Sequence, residues 1–285
     1  MDPSLGQLVQ RACVWEVTAR KAGNVHGSRD FANLRFTDFL ASAAAIAPVF
    51  DEAGRRRVGR TVLEAIRATR AVVSTNTNLG IVLLLAPLAS VPSSQPLRKG
   101  VAAVLAGLDV EDSRQVFAAI RLANPGGLGQ VAAEDVSGEP SLPLRQVMAL
   151  AAERDLVARQ YANDYLDVFA IGVPALLEGL NRFGDLEKAI IFTQLTLMAR
   201  FPDSLIARKR GREEAAEACA RAGQVLSAAW PEKTAGRSAF AAFDAWLTEL
   251  GNARNPGTSA DLVTACLFAA LREREIPDTY DTFSH

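Results

Sequence analysis

The sequence has few of the side chains from which many catalytic and metal sites are built. Only two histidines, His26 and His285, and three cysteines occur among its 285 residues. Two histidines are too few for a zinc site made of histidine ligands, and they give little support to serine-triad chemistry. The cysteines, Cys13, Cys219 and Cys266, are far apart, odd in number and without a C-x-x-C spacing. This pattern predicts no disulfide framework and indicates inert core thiols in a protein of the reducing cytoplasm.

An excess of charge and long hydrophobic runs are also missing. Lys and Arg number 31 against 32 Asp and Glu, and this net charge of −1 argues against a nucleic-acid-binding protein. The longest apolar run, 79–91, is interrupted by Pro87 and is shorter than the roughly 18 residues of a membrane span, so it predicts a buried core helix. The N-terminal residues have no basic region followed by an apolar stretch, so we expect no signal peptide. We therefore expect a globular cytoplasmic protein with no nucleic-acid or membrane partner.

Strand patterns are absent, whereas helical periodicity extends over most of the chain. No segment alternates apolar and polar residues with β-branched enrichment. Apolar residues recur at helical spacing, as Leu5, Leu8 and Ala12 do after the candidate N-cap Ser4. The predicted helices span 4–21, a segment from Thr37 or Asp38 to a kink at Pro48, 55–72, 78–91, 96–107, 111–123, 143–163, 164–181, 185–201, 204–229, 235–250 and 258–275. We predict an all-α fold, a single bundle of about a dozen helices over 1–285 with its active site at helix ends.

One segment interrupts the predicted helices. Residues 124–127, Asn-Pro-Gly-Gly, form the clearest turn, and the chain from there to Pro143 is polar and rich in turn formers. We predict a mobile lid or linker at 124–143. Because the fold has no sheet, a Rossmann crevice and a P-loop are excluded, and the glycine motifs of both are absent.

What the sequence does contain is polar residues at the predicted helix ends, where backbone N–H groups and helix dipoles can meet anionic ligands. Four groups of this kind stand at 16–26 (EVTARKAGNVH), 75–80 (TNTNLG), 155–164 (DLVARQYAND) and 255–263 (NPGTSADLV). Each also has a structural interpretation: a helix C-cap, N-capping side chains, a surface pair of Asp155 with Arg159, and a well-capped N-terminus. In the last group, free N–H groups suit a phosphate and Asp261 suits Mg²⁺.

Three of these groups, at 16–26, 75–80 and 255–263, resemble in order and spacing the matching blocks of the triphosphoribosyl-dephospho-CoA synthases. Asp203-Ser204 resembles a fourth block of the same family. The resemblance implies an all-α transferase that displaces adenine from ATP and joins the 5-triphosphoribosyl group to the 2′-hydroxyl of 3′-dephospho-CoA. The product of that reaction is a prosthetic-group precursor. Cleavage of this N-glycosidic bond implies a transition state of oxocarbenium character.

The resemblance also implies roles for particular residues in an Mg²⁺-dependent reaction. Asp261 and Asp203 are the candidate metal-linked carboxylates. Glu16 is a further catalytic candidate beside Asp261, and Asp155 is the candidate general base. The residues implied in nucleotide and phosphate binding are Lys21, Asn76, Thr77, Asn78, Gly257, Thr258 and Ser259. The implied partners are ATP and an acceptor of the CoA type.

The chain departs from the family pattern at three places. The family's N-T-H-K-G block is NTNLG at 76–80, Ala22 stands where the family has proline, and the central GARGEA-like block is VARQYA at 157–162. The missing His-Lys pair leaves three alternatives open. These are ribosyl-phosphate transfer to a pterin-like acceptor in tetrahydromethanopterin-linked cofactor synthesis, a nucleotide sensor without catalysis, and a helical scaffold. A homodimer is also left open.

Overall fold

The computed structural model describes residues 2–125 and 134–277. Within these ranges the chain forms fourteen α-helices and no extended strand. The helices are α1 (Leu5–Thr18), α2 (Phe36–Phe50), α3 (Val58–Val72), α4 (Leu79–Ala89), α5 (Leu97–Ala106), α6 (Val110–Ala123), α7 (Leu144–Ala151), α8 (Leu156–Ala162), α9 (Val173–Phe183), α10 (Leu186–Arg200), α11 (Ser204–Arg210), α12 (Arg212–Ser227), α13 (Thr234–Thr248) and α14 (Gly257–Arg272). The predicted all-α fold is confirmed.

Several helices begin where the local sequence supplies a cap. Ser4 and Gln7 form a capping box at the start of α1, in which the Ser4 amide donates to the Gln7 side chain at 2.8 Å. Asp109 and Asp112 form a second capping box at the start of α6. Capping boxes of this kind satisfy N–H groups that the first helical turn leaves without partners. The candidate cap Ser4 is therefore confirmed as the N-cap of α1.

Helices α4 and α14 lie at the centre of the molecule. Almost every residue of α4 is buried, and α14 is buried along most of its length. Helix α4 packs against α3 and α14, and α14 also contacts α1, α9 and α10. The apolar run at 79–91 thus contains the core helix that the sequence predicts. Among the described helices, none combines the length and hydropathy needed to cross a membrane.

Two buried tyrosines donate hydrogen bonds to α4, and one of them compensates for a proline inside that helix. Pro87 has no N–H, so the carbonyl of Leu83, four residues earlier, loses its helical donor. The hydroxyl of Tyr161 donates to that carbonyl at 2.6 Å. The hydroxyl of Tyr165 donates to the next carbonyl, that of Leu84, at 2.8 Å. Both tyrosines are fully buried, and they join the segment around α8 to the central helix.

Three predicted helices are divided in the structure. The segment 143–163 forms α7 and α8, because Asp155 begins a new helix as the N-cap of α8. The segment 204–229 forms α11 and α12, because Gly211 has a φ of +99° and turns the chain. The segment 164–181 begins with positive φ at Asp164 and Tyr165, followed by a π-helical turn at Val168–Gly172 that leads into α9. Of the predicted lid at 124–143, residues 126–133 lie outside the described residues.

Candidate active site

Several helix ends meet around one cleft with a volume of about 1040 Å³. This volume is at the upper end of the range of about 300–1,000 Å³ that is usual for ligand pockets. Eight of the predicted site residues line the cleft: Glu16, Asn76, Thr77, Asn78, Asp155, Gly257, Thr258 and Asp261. The structure therefore brings together residues from all four polar groups of the sequence. Lys21, Asp203 and Ser259 do not line it.

Asp261 is the fifth residue of α14 and lies against Gly80 in the first turn of α4. A Cβ atom on Gly80 would stand only 2.0 Å from Asp261 Oδ2, so the absence of a side chain at Gly80 makes room for this carboxyl group. Burial raises the pKa of Asp261 well above its ordinary value, and the nearby carboxylates of Glu16, Asp203 and Asp155 raise it further. Among the described residues, none donates a hydrogen bond to the Asp261 carboxyl group. A cluster of negative charge around an unpartnered carboxyl group is typical of functional sites.

Glu16 and Lys21 form a buried ion pair beside the cleft. Glu16 lies in the last turns of α1, and its Oε1 is 2.9 Å from Lys21 Nζ. The same ammonium group donates to the backbone carbonyl of Glu16. Lys21 is fully buried, so its charge is directed at Glu16 and not at the open cleft. This position does not fit the phosphate contact expected for Lys21, and it makes Lys21 the counter-ion of a cleft carboxylate.

Asp203 holds two helix starts together. Its Oδ1 accepts hydrogen bonds from the backbone N–H groups of Leu205 and Ile206 at 2.8 and 3.0 Å, which caps α11. Its Oδ2 accepts from the N–H and the hydroxyl of Ser259 at 2.7 and 2.8 Å. Four donors around a buried carboxylate leave it no orientation toward a metal ion. The expected metal role of Asp203 and the expected phosphate contact of Ser259 do not fit this geometry.

The 75–80 group forms one wall of the cleft through side-chain hydrogen bonds. The Asn78 amide donates to Thr69 Oγ1 at 2.9 Å, and the hydroxyls of Thr77 and Ser42 are 2.6 Å apart. Asn76 Oδ1 accepts from the backbone N–H of Leu79 at 3.1 Å, which caps α4. Much of the hydrogen-bonding capacity of this group is thus structural, as the capping interpretation predicts. The three polar side chains nevertheless remain part of the cleft lining.

Asp155 combines a capping role with an ion pair. Its Oδ1 accepts from the N–H groups of Val157 and Ala158 at 2.9 and 3.1 Å. Its Oδ2 lies 3.3 Å from Arg208 Nη1. The surface pair of Asp155 with Arg159 is not formed, because Arg159 pairs with the buried carboxylate of Asp167 at 2.9 Å. Asp155 therefore keeps one oxygen directed at a cationic group of the cleft.

Sequence reasoning missed the basic residues of the cleft. Arg208 and Lys209, in the last turn of α11, and Arg212, at the start of α12, line it. Burial lowers the pKa of Lys209, whose ammonium donates to the backbone carbonyl of Asn252 at 3.1 Å. The signal was present as the run RKRGR at 208–212, directly after the block that contains Asp203.

An amide network joins the first polar group to the last. Asn24 Nδ2 donates to Asn255 Oδ1 at 2.7 Å, and Gln194 Nε2 donates to Asn24 Oδ1 at 2.8 Å. Gln194 also donates to the carbonyl of Ala22 at 2.9 Å. These buried bonds fix the chain exit after α1 against the start of α14. Gln194 lies outside the four polar groups, and the sequence pattern gave no signal for it.

Preformed metal ligation is not seen in residues 2–125 and 134–277, which hold no group of three or more His, Cys, Asp or Glu side chains placed for a metal ion. Mg²⁺ is commonly bound by one or two carboxylates together with substrate phosphates and water. Of the two predicted metal ligands, the environment of Asp261 suits this kind of site and that of Asp203 does not.

Comparison with known proteins identifies the class of this all-α chain. Residues 2–279 match the model of a transferase family, ATP:dephospho-CoA triphosphoribosyl transferase. The chain therefore belongs to that family. A crystal structure of "putative triphosphoribosyl-dephospho-coA synthase" from Archaeoglobus fulgidus is similar to it, with 30% sequence identity and a TM-score of 0.64. The alignment covers 82% of this chain and 98% of the other. Among curated proteins, no sequence matches this chain.

Proposed function

We propose that this protein displaces adenine from ATP and transfers the 5-triphosphoribosyl group to the 2′-hydroxyl of 3′-dephospho-CoA. The observation that carries the proposal is one cleft that is lined both by carboxylates and by basic side chains: Glu16, Asp155, Asp261, Arg208, Lys209 and Arg212. Family membership and the similarity to the archaeal structure support the same reaction. In the reaction, the bond between ribose C1′ and adenine N9 breaks and a bond from C1′ to the acceptor oxygen forms. The hydroxyl proton of the acceptor goes to a base, and adenine leaves carrying a proton.

The basic residues suit the triphosphate of ATP. Arg208, Lys209 and Arg212 surround the junction of α11 and α12, where several positive groups can neutralise neighbouring phosphates. The start of α14 adds the positive end of a helix dipole and the hydroxyl of Thr258. In this proposal, the basic residues and the start of α14 take the place of the phosphate contacts expected for Lys21 and Ser259.

The carboxylates suit the ribose and the acceptor hydroxyl. A negative group near C1′ stabilises the positive charge that develops as adenine leaves. Glu16, oriented by its ion pair with Lys21, is well placed for this role. Asp155 is the general base of the proposal, because one of its oxygens is directed into the cleft beside Arg208.

In the proposed reaction, Mg²⁺ would be bound by Asp261 and by oxygens of the ATP phosphates. The cation would supply positive charge that neutralises both the phosphates and the carboxyl cluster. A half-buried carboxyl group that faces the cleft, without a hydrogen-bond donor among the described residues and with other carboxylates nearby, suits a divalent cation in this way. Asp203 takes no part, because its oxygens already accept four hydrogen bonds.

The activity test is direct. The protein is incubated with ATP, Mg²⁺ and 3′-dephospho-CoA, adenine is quantified by chromatography, and the acceptor product is weighed by mass spectrometry. We expect free adenine and a product heavier by one triphosphoribosyl group, with loss of both when the cation is chelated. Binding of ATP without release of adenine would refute the transfer and favour a sensor. Absence of ATP binding would favour a scaffold.

Three finer points complete the proposal. The acceptor is of the CoA type, and a pterin-like acceptor is tested by replacing dephospho-CoA in the same assay, because the family's His-Lys pair is replaced by Asn78 and Leu79 here. The reducing cytoplasm is the proposed compartment, since Cys13, Cys219 and Cys266 are free thiols. A homodimer is tested by light scattering on the sample that is used for the assay.

A further inference from the structure

The cleft has two ends of different chemistry. Its charged end holds the carboxylates and basic residues described above. Its other end lies between α6 and α7, and we name it the apolar lobe. The lobe is lined by Val116, Phe117, Ile120, Val147, Met148 and Leu150. None of these side chains can neutralise a phosphate or exchange a proton, so the reaction at the charged end gives them no role.

The described contacts hold the two walls of the lobe together. The hydroxyl of Ser113 on α6 donates to the carbonyl of Leu142 at 2.7 Å, just before α7. The N–H of Leu144, the first residue of α7, donates to the carbonyl of Asp109 at 3.3 Å. Helix α7 thus starts on α6, and these two hydrogen bonds fix the spacing of the two helices. A preformed apolar pocket binds an uncharged group with little loss of protein entropy.

The lobe is continuous with the charged end through a short connection. Helix α7 ends at Ala151, and the proposed base Asp155 follows after residues 152–154, all of which line the cleft. Four steps of 3.8 Å between Cα atoms place Ala151 and Asp155 within about 15 Å of each other. An acceptor whose hydroxyl is deprotonated by Asp155 can therefore extend along this connection into the lobe.

We propose that the apolar lobe binds the pantetheine arm of the CoA-type acceptor, and this proposal rests on the proposed function. The arm is uncharged, contains a carbon that bears two methyl groups, and ends in a thiol, so apolar side chains suit it. The nucleotide part of the acceptor would remain at the charged end, where its 2′-hydroxyl reacts. The lobe thereby distinguishes dephospho-CoA from nucleotides without such an arm. Leu150, which is half exposed, would become covered.

The test uses one substitution that fills the lobe and one that makes it polar. Ala151→Phe places a ring at the mouth of the lobe, and Leu150→Ser removes an apolar contact. The matched control is Leu166→Ser, because Leu166 is 52% exposed against 50% for Leu150 and does not line the cleft. Circular dichroism and thermal unfolding verify that the three variants fold.

Two measurements are made on each protein. Calorimetry without ATP gives the Kd of dephospho-CoA, and we expect it to rise about tenfold in Ala151→Phe and about threefold in Leu150→Ser, with no change in Leu166→Ser. Steady-state release of adenine gives the KM of each substrate, and only the KM of dephospho-CoA should rise. An unchanged Kd in Ala151→Phe, or an equal rise of both KM values, would overturn the lobe assignment.

The two proposals can fail separately. Wild-type protein that binds dephospho-CoA but releases no adenine would refute the transfer, while the Kd series still decides what the lobe binds. Wild-type protein that binds no dephospho-CoA would refute the lobe assignment, and the transfer is then tested with other acceptors. Free pantetheine serves as an independent probe. It should compete with dephospho-CoA and not with ATP, and this competition should be lost in Ala151→Phe.

Discussion

Asp203, which is buried, and Asp261, which is half-buried, are two carboxyl groups near the start of α14 with opposite surroundings. Asp203 accepts four hydrogen bonds, two of them from Ser259 on that helix. Asp261, two residues further along α14, has no donor in the described part of the chain and faces the cleft. Burial raises the pKa of both. The number of hydrogen-bond donors, together with exposure to the cleft, therefore separates a carboxylate that holds the fold from one that is available to a ligand.

The strongest test of this difference is Asp261→Asn. We expect adenine release to fall by at least about 10²-fold, because the substitution removes the carboxylate that faces the reacting groups. Since the folded state raises the pKa of Asp261, the charged form opposes folding at neutral pH, so the variant should unfold at a higher temperature than the wild type. Retained turnover, or a loss of stability, would contradict the assignment.

Asp203→Ala should have the opposite pattern. Removal of the acceptor leaves four buried donors without a partner, and we expect the free energy of unfolding to fall by about 3 kcal/mol. Urea unfolding measures this loss. Ser259→Ala is the graded control, because it removes one of the four bonds and should cost about 1 kcal/mol. If Asp203→Ala abolished turnover while stability stayed at the wild-type level, Asp203 would belong to the catalytic groups.

Gly80→Ala tests whether the position of Asp261 depends on the space that a Cβ atom on Gly80 would fill. The added Cβ would meet Asp261 Oδ2 at 2.0 Å, so the carboxyl group must move, and we expect turnover to fall about tenfold. Gly223→Ala in α12 is the matched control, since its Cβ would meet nothing within 4 Å and Ala favours a helix. The expected result is normal activity in the control alone, measured as adenine release.

The smallest expected effect concerns His26, a buried group of the opposite charge type. Burial, together with Arg29 and Lys21, lowers its pKa to about 4. Its neutral form is favoured on folding, so its contribution to stability is complete above its unfolded pKa of about 6.5 and is lost as the pH falls toward 4. The free energy of unfolding is measured in urea for the wild type and for His26→Gln between pH 7 and pH 4. We expect the difference between the two proteins to narrow as the pH falls. A pKa of the His26 imidazole near 6.5, measured by NMR titration, would contradict this expectation.

The sequence predicted the fold class and the cleft residues that stand directly at helix starts. Asp261, Gly257 and Thr258 could be placed because a Pro-Gly turn locates the start of α14, although no side chain caps that helix as the pattern predicts. Sequence could not separate Asp203 from Asp261, because hydrogen-bond donors arrive from a helix 56 residues away along the chain. Lys21 was misplaced for the same reason: a basic residue near a helix end usually faces solvent, and only the packing shows that it faces Glu16.

The basic residues of the cleft were missed for a different reason. Cations in the last turn of a helix are the ordinary complement of its dipole, so the run RKRGR at 208–212 could not be told from a basic helix end by its sequence. The divisions of the predicted helices were only partly visible. Gly211 could have marked the end of α11, whereas the break before Asp155 depends on a cap that the continuing apolar pattern conceals.

The bond between Asp203 and Ser259 has a consequence for the spacing of the site. Asp203 fixes the start of α11 to the start of α14, and Arg208 follows four residues after the first residue of α11. The rise of helix α11, about 1.5 Å per residue, therefore sets how far the guanidinium group of Arg208 stands from Asp261. Inserting one residue between Ser204 and Arg208 would advance Arg208 by about 1.5 Å and turn it about 100° around the helix axis. Such an insertion would separate the proposed phosphate-binding group, Arg208, from the proposed ribose site at Asp261, while every side chain involved stayed intact.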